Sequence, residues 1–284
     1  GGGLSNTIDA TASNSSVVGG SNNSNGAPNS FIGGGASNKA SGDFSVIGGG
    51  RNNITSNICS VVGGGDSNQS TGSYSVVGGG DSNQSTGSYS VVSGGVRNQS
   101  TGSYSVVGGG YLNLSSKDHS TVGGGFLNVA SGSNSTSSGG MANVANNYHS
   151  TVGGGLSNVA SGTNSTVSGG WSNTASGNES IVCGGYANST IGTISIVCGG
   201  NSNTSSNIGS AVVGGESHVA SGPYSFIGGG LSNTASGSES IICGGSGNTA
   251  NALRALVGGG LSNQATGSNS VVGGGSFNTA NNEH

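Results

Sequence analysis

Polar and apolar positions recur along this chain with a period of fifteen. Counting back from Asn278 in steps of fifteen meets asparagine at every stop down to Asn23, His218 alone excepted. With positions numbered from that asparagine, a clean copy runs from Asn68 to Ser82, and Asn83 opens a near-duplicate. Each copy falls into two similar halves. Positions one to five read Asn-x-Ala/Ser-x-Gly, as from Asn173 to Gly177; positions eight to twelve read Ser-x-Val-x-Gly, as from Ser75 to Gly79. Alternation over five residues closed by glycine predicts a short strand and a turn. Two such strands in fifteen residues leave no room for a helix or a third side. A fixed short period is how a stacked solenoid is written in sequence. The expected fold is all-β: a parallel β-roll solenoid with two short strands per 15-residue coil and about 19 coils. Residues 1–284 are expected to form a single β-roll repeat domain, with an irregular coil near 6–22.

Period-two geometry assigns the two sides of each strand. Positions one, three and five face one way, and eight, ten and twelve do the same on the second strand. Position ten is Val or Ile in nearly every copy, with Ser137 the outlier, and position three is Ala, Ser or Thr in most. These are placed inside, as a thin core between two sheets. The position-one residues Asn38, Asn53, Asn68, Asn83, Asn98, Asn113, Asn128, Asn143, Asn158 and Asn173 then stack as a buried amide ladder that satisfies its own polar groups. Positions twelve and thirteen are both glycine from Gly19-Gly20 to Gly274-Gly275, which allows a sharp reversal with positive φ. Position five is mostly glycine, its exceptions including Asn57, Asn147, Asn207 and Asn282, with Lys117 and Ala252 fitting less well, and asparagine is the side chain that best tolerates the left-handed region. Position five is therefore expected to be left-handed.

The outward faces differ. Positions two and four are largely polar. Position nine carries an apolar rank, Val46, Val61, Val76, Val91, Val106, then threonines Thr121 to Thr166, then Ile181, Ile196, Phe226, Ile241, Leu256 and Val271. Its companion, position eleven, is Gly, Ser or Cys nearly throughout, with Val213 an exception. An apolar strip beside near-absent side chains invites a second surface, so the position-nine rank is expected to be an oligomer interface, trimeric or filamentous. Position fourteen supplies a second stripe, Tyr111, Phe126, Met141, Leu156, Trp171 and Tyr186, a candidate docking patch for a partner. At position seven, Phe44, Tyr74, Tyr89 and Tyr104 suggest ring stacking along the axis.

Composition sharpens this picture mainly by exclusion. Charged residues are 5% of the chain and the formal net charge is −4, so there is no basic footprint for nucleic acid or a lipid surface. Nothing approaches a membrane span, and the chain reads as a segment of a longer one. No nucleophile is set beside a base, and no cofactor motif or metal cage is formed, so an enzyme is not expected. His119 and His149 share position seven but lie two coils apart, about 9.6 Å, too far for one zinc ion. Cys183 and Cys198 sit one coil apart at position eleven, near the lower Cα limit for a disulfide, and are expected to be small side chains filling a tight spot. Sequons at Asn68 and Asn83 are by-products of the repeat; a buried asparagine carries no glycan.

The run from Ser225 to Gly237, Ser-Phe-Ile-Gly-Gly-Gly-Leu-Ser-Asn-Thr-Ala-Ser-Gly, resembles the YadA-like head repeats of trimeric autotransporter adhesins and related bacterial or viral fibres. The resemblance implies a left-handed roll, lateral association about a three-fold axis through outward apolar ladders, an extracellular or virion-surface location, and adhesion to extracellular matrix or host surfaces. Half-coils such as Asn98 to Gly102 also resemble those of ryegrass-type antifreeze proteins. That likeness implies a monomeric roll with a flat Thr/Ser/Val face that orders water, here at position nine.

Overall fold

The computed structural model describes residues 2–281. They form two compact units, residues 2–142 and 143–281. Both are all-β parallel solenoids with two short strands per 15-residue coil, as the periodicity predicts. No helix among the described residues is long and apolar enough to cross a membrane.

In unit one the first-half strands run in order from Thr7–Ile8 through Gln69–Ser70 to Val129–Ala130, and the second-half strands from Ser16–Val17 through Val76–Val77 to Thr136–Ser137. Each pairs in parallel with its counterpart one coil away, Gln69 on Gln84 and Val76 on Val91. Unit two repeats the plan, its first strands running from Val144–Ala145 to Thr279–Ala280 and its second from Thr151–Val152 to Val271–Val272. The regular ladder bonds extend past the strand residues: Thr71 N–H reaches Ser85 O and Gly78 N–H reaches Val92 O, both at 2.9 Å.

The inward assignments hold at positions one, three, eight and ten, whereas position twelve is only half-buried, as at Gly64 and Gly79, and position five is exposed at Asn57. Positions one, three, eight and ten are buried, as at Asn68, Ser70, Ser75 and Val77, all at 0% exposure. The interior thus holds more hydroxyl and amide side chains than hydrocarbon ones. In unit one the buried apolar cluster runs from Val17 to Ala130 and stops short of Ser137. Ser137 is itself buried, and its hydroxyl has no hydrogen-bond partner.

The turns depart from expectation at positions five and fourteen. Position five lies outside the left-handed region at Gly72, Gly87 and Asn57 alike. Its glycine is a matter of space, since a Cβ on Gly72 would run into the carbonyl of Gly87 in the next coil. Where asparagine replaces it, the amide bonds the position-four carbonyl of the next coil: Asn57 to Thr71 at 2.5 Å, Asn147 to Ser161 at 2.8 Å and Asn207 to Ser221 at 3.0 Å. Asn282 lies outside the described residues. The left-handed residues are instead at positions seven and fifteen, including Tyr74 (φ +58°), Tyr89 (φ +58°), Leu112 (φ +56°) and Leu127 (φ +57°). Few L-residues adopt this region without cause. The cause here is hydrogen bonding: the reversed backbone turns Tyr89 N–H to Ser73 O at 2.8 Å and Leu127 N–H to Tyr111 O at 3.0 Å, both in the preceding coil. Turn amides that would otherwise need water are thereby satisfied within the stack.

Of the glycine pair, the second carries the bend. Gly65 has φ +90°, and a Cβ there would strike the Gly80 carbonyl and come within 2.7 Å of Asn68 Nδ2. The glycine before it varies, from +144° at Gly109 to outside the positive range at Gly94. The other departure is a narrow third ladder. Position fourteen forms a one-residue parallel bridge from coil to coil, as between Asp66 and Asp81 or Leu156 and Trp171, through bonds such as Asp81 N–H to Gly95 O at 3.0 Å. Variable side chains hide it in the sequence, because only backbone is used.

Candidate interaction surface

The asparagine ladder fixes where every outward side chain stands. Asn68 accepts the Asn83 backbone N–H on Oδ1 at 3.0 Å, and its own N–H donates to Asn53 Oδ1 at 3.0 Å. Its Nδ2 donates to Gly64 O at 3.0 Å within the same turn and to Gly80 O at 2.8 Å in the next coil. Asn38, Asn53, Asn83, Asn98, Asn113, Asn158 and Asn173 repeat the arrangement, and Asn128 and Asn143 occupy the same buried rank. A glycan on Asn68 or Asn83 would have to displace both carbonyl bonds from a side chain with no exposed surface. At the opposite turn the serines of position eight close the bend, Ser75 Oγ donating to Gly72 O at 2.7 Å and lying 2.7 Å from Ser70 Oγ.

His218 interrupts the ladder without breaking its backbone thread. Its N–H donates to Asn203 Oδ1 at 3.0 Å, and its Nδ1 accepts Asn233 N–H at 3.0 Å. Nε2 is buried without a well-formed hydrogen bond. Burial pushes the imidazole below its ordinary pKa, partly offset by the neighbouring Gly230 and Asn233 backbone.

On the outer face of the second strand, position nine is a continuous rank within each unit. In unit one Val46, Val61, Val76, Val91 and Val106 pair in register and are each half-buried by their neighbours; Phe31 extends the rank at 39% exposure. Thr121 and Thr136 follow, also paired. In unit two Ile181 and Ile196 pair, as do Phe226 with Ile241 and Leu256 with Val271. Phe226 and Ile241 are each 37% exposed, and the other members of this rank are half-buried apart from Val271 near the end. Beside the valines, Gly63 and Gly78 offer bare backbone. The result is a shallow apolar strip with hydrogen bonds already satisfied.

The position-fourteen stripe stands on the third ladder. In unit one the rings of Tyr111 and Phe126 stack with centroids 5.4 Å apart and 2° between planes, and Phe126 pairs with Met141. In unit two Leu156 pairs with Trp171, and Trp171 meets Tyr186 at 4.8 Å with a 52° tilt. Trp171 is half exposed. The position-seven rings form the longer stack: Tyr74, Tyr89, Tyr104 and then His119 lie 4.8–5.0 Å apart and within 3° of parallel. His119 is thus the last plate of an aromatic column, whose faces are covered and whose edges are open. His149, in unit two, stacks instead on its neighbour Tyr148 at 3.9 Å.

The acidic residues are placed as surface charges. Asp66 pairs with Arg51 along the third ladder, which holds its carboxyl below the usual carboxylate range. Cys183, Cys198 and Cys243 stand on the outer face, where position eleven alternates outward with position nine, but they are exposed free thiols and fill no tight spot. Cys59 is a half-buried free thiol at position seven.

No protein-family model matches the chain, and no curated protein matches it.

Proposed function

We propose that this chain is a structural or adhesive segment of an extracellular fibre, whose copies associate side by side through the position-nine rank. The observation that carries this reading is the in-register run of valines from Val46 to Val106, half-shielded by one another and flanked by glycine. A surface with satisfied backbone, no charge and little relief gains most from a matching apolar surface, since the exposed part of each valine is what association removes from water. A thin core that is largely polar adds to the benefit. The position-fourteen stripe is then the face presented to a partner such as matrix or a host surface, and no step of chemistry is assigned to it.

Sedimentation velocity at micromolar concentration tests the association. Wild type sediments as an oligomer, trimer or filament, while Val76→Asp/Val91→Asp sediments as a monomer with an unchanged far-ultraviolet spectrum. A wild-type monomer across that range overturns the reading. A second reading rests on the threonine rungs, Thr121 on Thr136 in unit one and Thr151 on Thr166 in unit two. Regular hydroxyl and methyl spacing is what an ice-binding face requires. Thermal hysteresis in a nanolitre osmometer, lost in Thr121→Tyr/Thr151→Tyr, is its test.

A further inference from the structure

Cys183 and Cys198 are the one place among the described residues where two thiols meet. The strands beneath them pair in register, Ile181 on Ile196 and Val182 on Val197, and Cys183 N–H donates to Val197 O at 3.0 Å. Position eleven then puts both sulfurs on the same outer face, one rung apart, both exposed and unbridged. They interact: burial, then the Cys183 sulfur, push the Cys198 thiol above its ordinary pKa. Cys243 shares the position and the exposure but stands between Gly228 and Gly258, with no thiol on either rung. Nature has supplied the control.

We propose that Cys183 and Cys198 form a redox site that closes to a rung-to-rung disulfide by exchange with a small-molecule disulfide of the glutathione class. Neighbouring rungs hold their Cα atoms about 4.8 Å apart, inside the range of about 4.4–6.8 Å for bridged cysteines. In the first step the Cys183 thiolate attacks one sulfur of the glutathione disulfide. That sulfur–sulfur bond breaks, a mixed disulfide forms, and one glutathione thiolate leaves and takes up a proton. Cys198 then loses its proton to solvent and attacks the Cys183 sulfur. The protein disulfide forms and the second glutathione leaves. Two electrons pass from the two cysteines to the oxidant, which ends as two thiols. The second step is intramolecular, so the local sulfur concentration greatly exceeds that of any external thiol. Stacked Cβ atoms sit somewhat wider than the roughly 3.5–4.5 Å a relaxed bridge prefers. The bridge is therefore readily reopened by a reductant, as befits a reversible site.

The test uses the whole chain. Oxidised glutathione is added, the reaction is held until Cys243 has reacted, and remaining thiols are alkylated. Cleavage after Glu179 and Glu216 releases a peptide carrying both Cys183 and Cys198, while Cys243 falls in another. The expected result is a 183/198 peptide lighter by two hydrogens, with neither glutathione nor alkyl label, beside a glutathione adduct on Cys243. In Cys198→Ser the adduct on Cys183 persists, because nothing resolves it. Separate adducts or alkyl labels on both cysteines of wild type, or a bridge found only between two chains on a non-reducing gel, overturns the proposal. The bridge is scored within one peptide, and the adduct on Cys243, on the same face beside Ile241, shows in the same sample that glutathione reaches the strip, so a failure of association and a failure of the bridge are told apart.

Discussion

The imidazole Nδ1 of His218 accepts the backbone N–H of Asn233 at 3.0 Å, where the neighbouring rungs present an asparagine Oδ1. The bond needs a neutral ring with its proton on Nε2. Protonating Nδ1 would set two donors against each other in a buried turn.

Stability should therefore depend on pH at this rung. The folded-state pKa is depressed below the ordinary value of 6.5 by burial. The unfolded chain thus binds the proton more tightly, so the neutral ring's contribution is complete above about 6.5 and is lost as pH falls from there toward the folded pKa. His218→Asn restores two amide donors and abolishes this dependence. We expect it to be more stable than wild type by about 1–2 kcal/mol at neutral pH, with the gap widening toward pH 5. Urea midpoints at pH 8, 6.5 and 5 give the comparison.

Asn83→Ala should be costly for a change that removes so little volume. It strands the buried Asn98 backbone N–H, removes the donor from the half-buried Gly79 carbonyl, and leaves Gly95 O with the Asp81 N–H alone. Leaving such groups unpaired costs about 2–4 kcal/mol in total. Amide exchange at Asn98 should speed up locally before global unfolding responds, since solenoid coils open next to the lesion.

Ser137→Val should stabilise unit one. The hydroxyl is buried and unpartnered at a position where other coils carry Val or Ile. Replacing it removes an unsatisfied polar group and adds buried hydrocarbon, together about 1–2 kcal/mol. A thermal melt of the two proteins decides it; a lower midpoint for the valine variant would mean the site lacks room.

Leu127→Asn probes the left-handed rank. Leu127 holds φ +57° and is 43% exposed, so little packing is lost. Asn22 and Asn52 already occupy position fifteen with the same backbone. The substitution should stabilise by about 1 kcal/mol by relieving side-chain crowding in that region, measured as a urea midpoint shift.

These cases also mark what the sequence discloses. The coil, its strands and the direction each side chain takes were legible because burial alternates with period two and glycine punctuates each half. The dihedrals were less so. Tyr89 and Leu127 are residues that ordinarily avoid a left-handed backbone, and hydrogen bonds to the preceding coil overrule that preference without leaving a compositional trace. The third ladder escaped for a related reason: Asp81 and Trp171 share a backbone role and nothing else. The cysteine pair was visible by spacing, but its place on the outer face followed only from counting position eleven with position nine.

The irregular first coil shows what the stack tolerates. Asn6 Oδ1 accepts the Asn23 N–H at 3.0 Å although seventeen residues, not fifteen, separate them. The strand pairing Thr7 on Ser24 keeps the same offset, and the surplus is taken up in the bend after Asp9, whose carboxylate accepts Thr11 N–H. An amide landing on its rank is thus enough to set the register, whatever length of chain bulges out beyond the strands. That bend is a natural insertion point: a longer excursion there could carry a new recognition loop while leaving every other coil untouched.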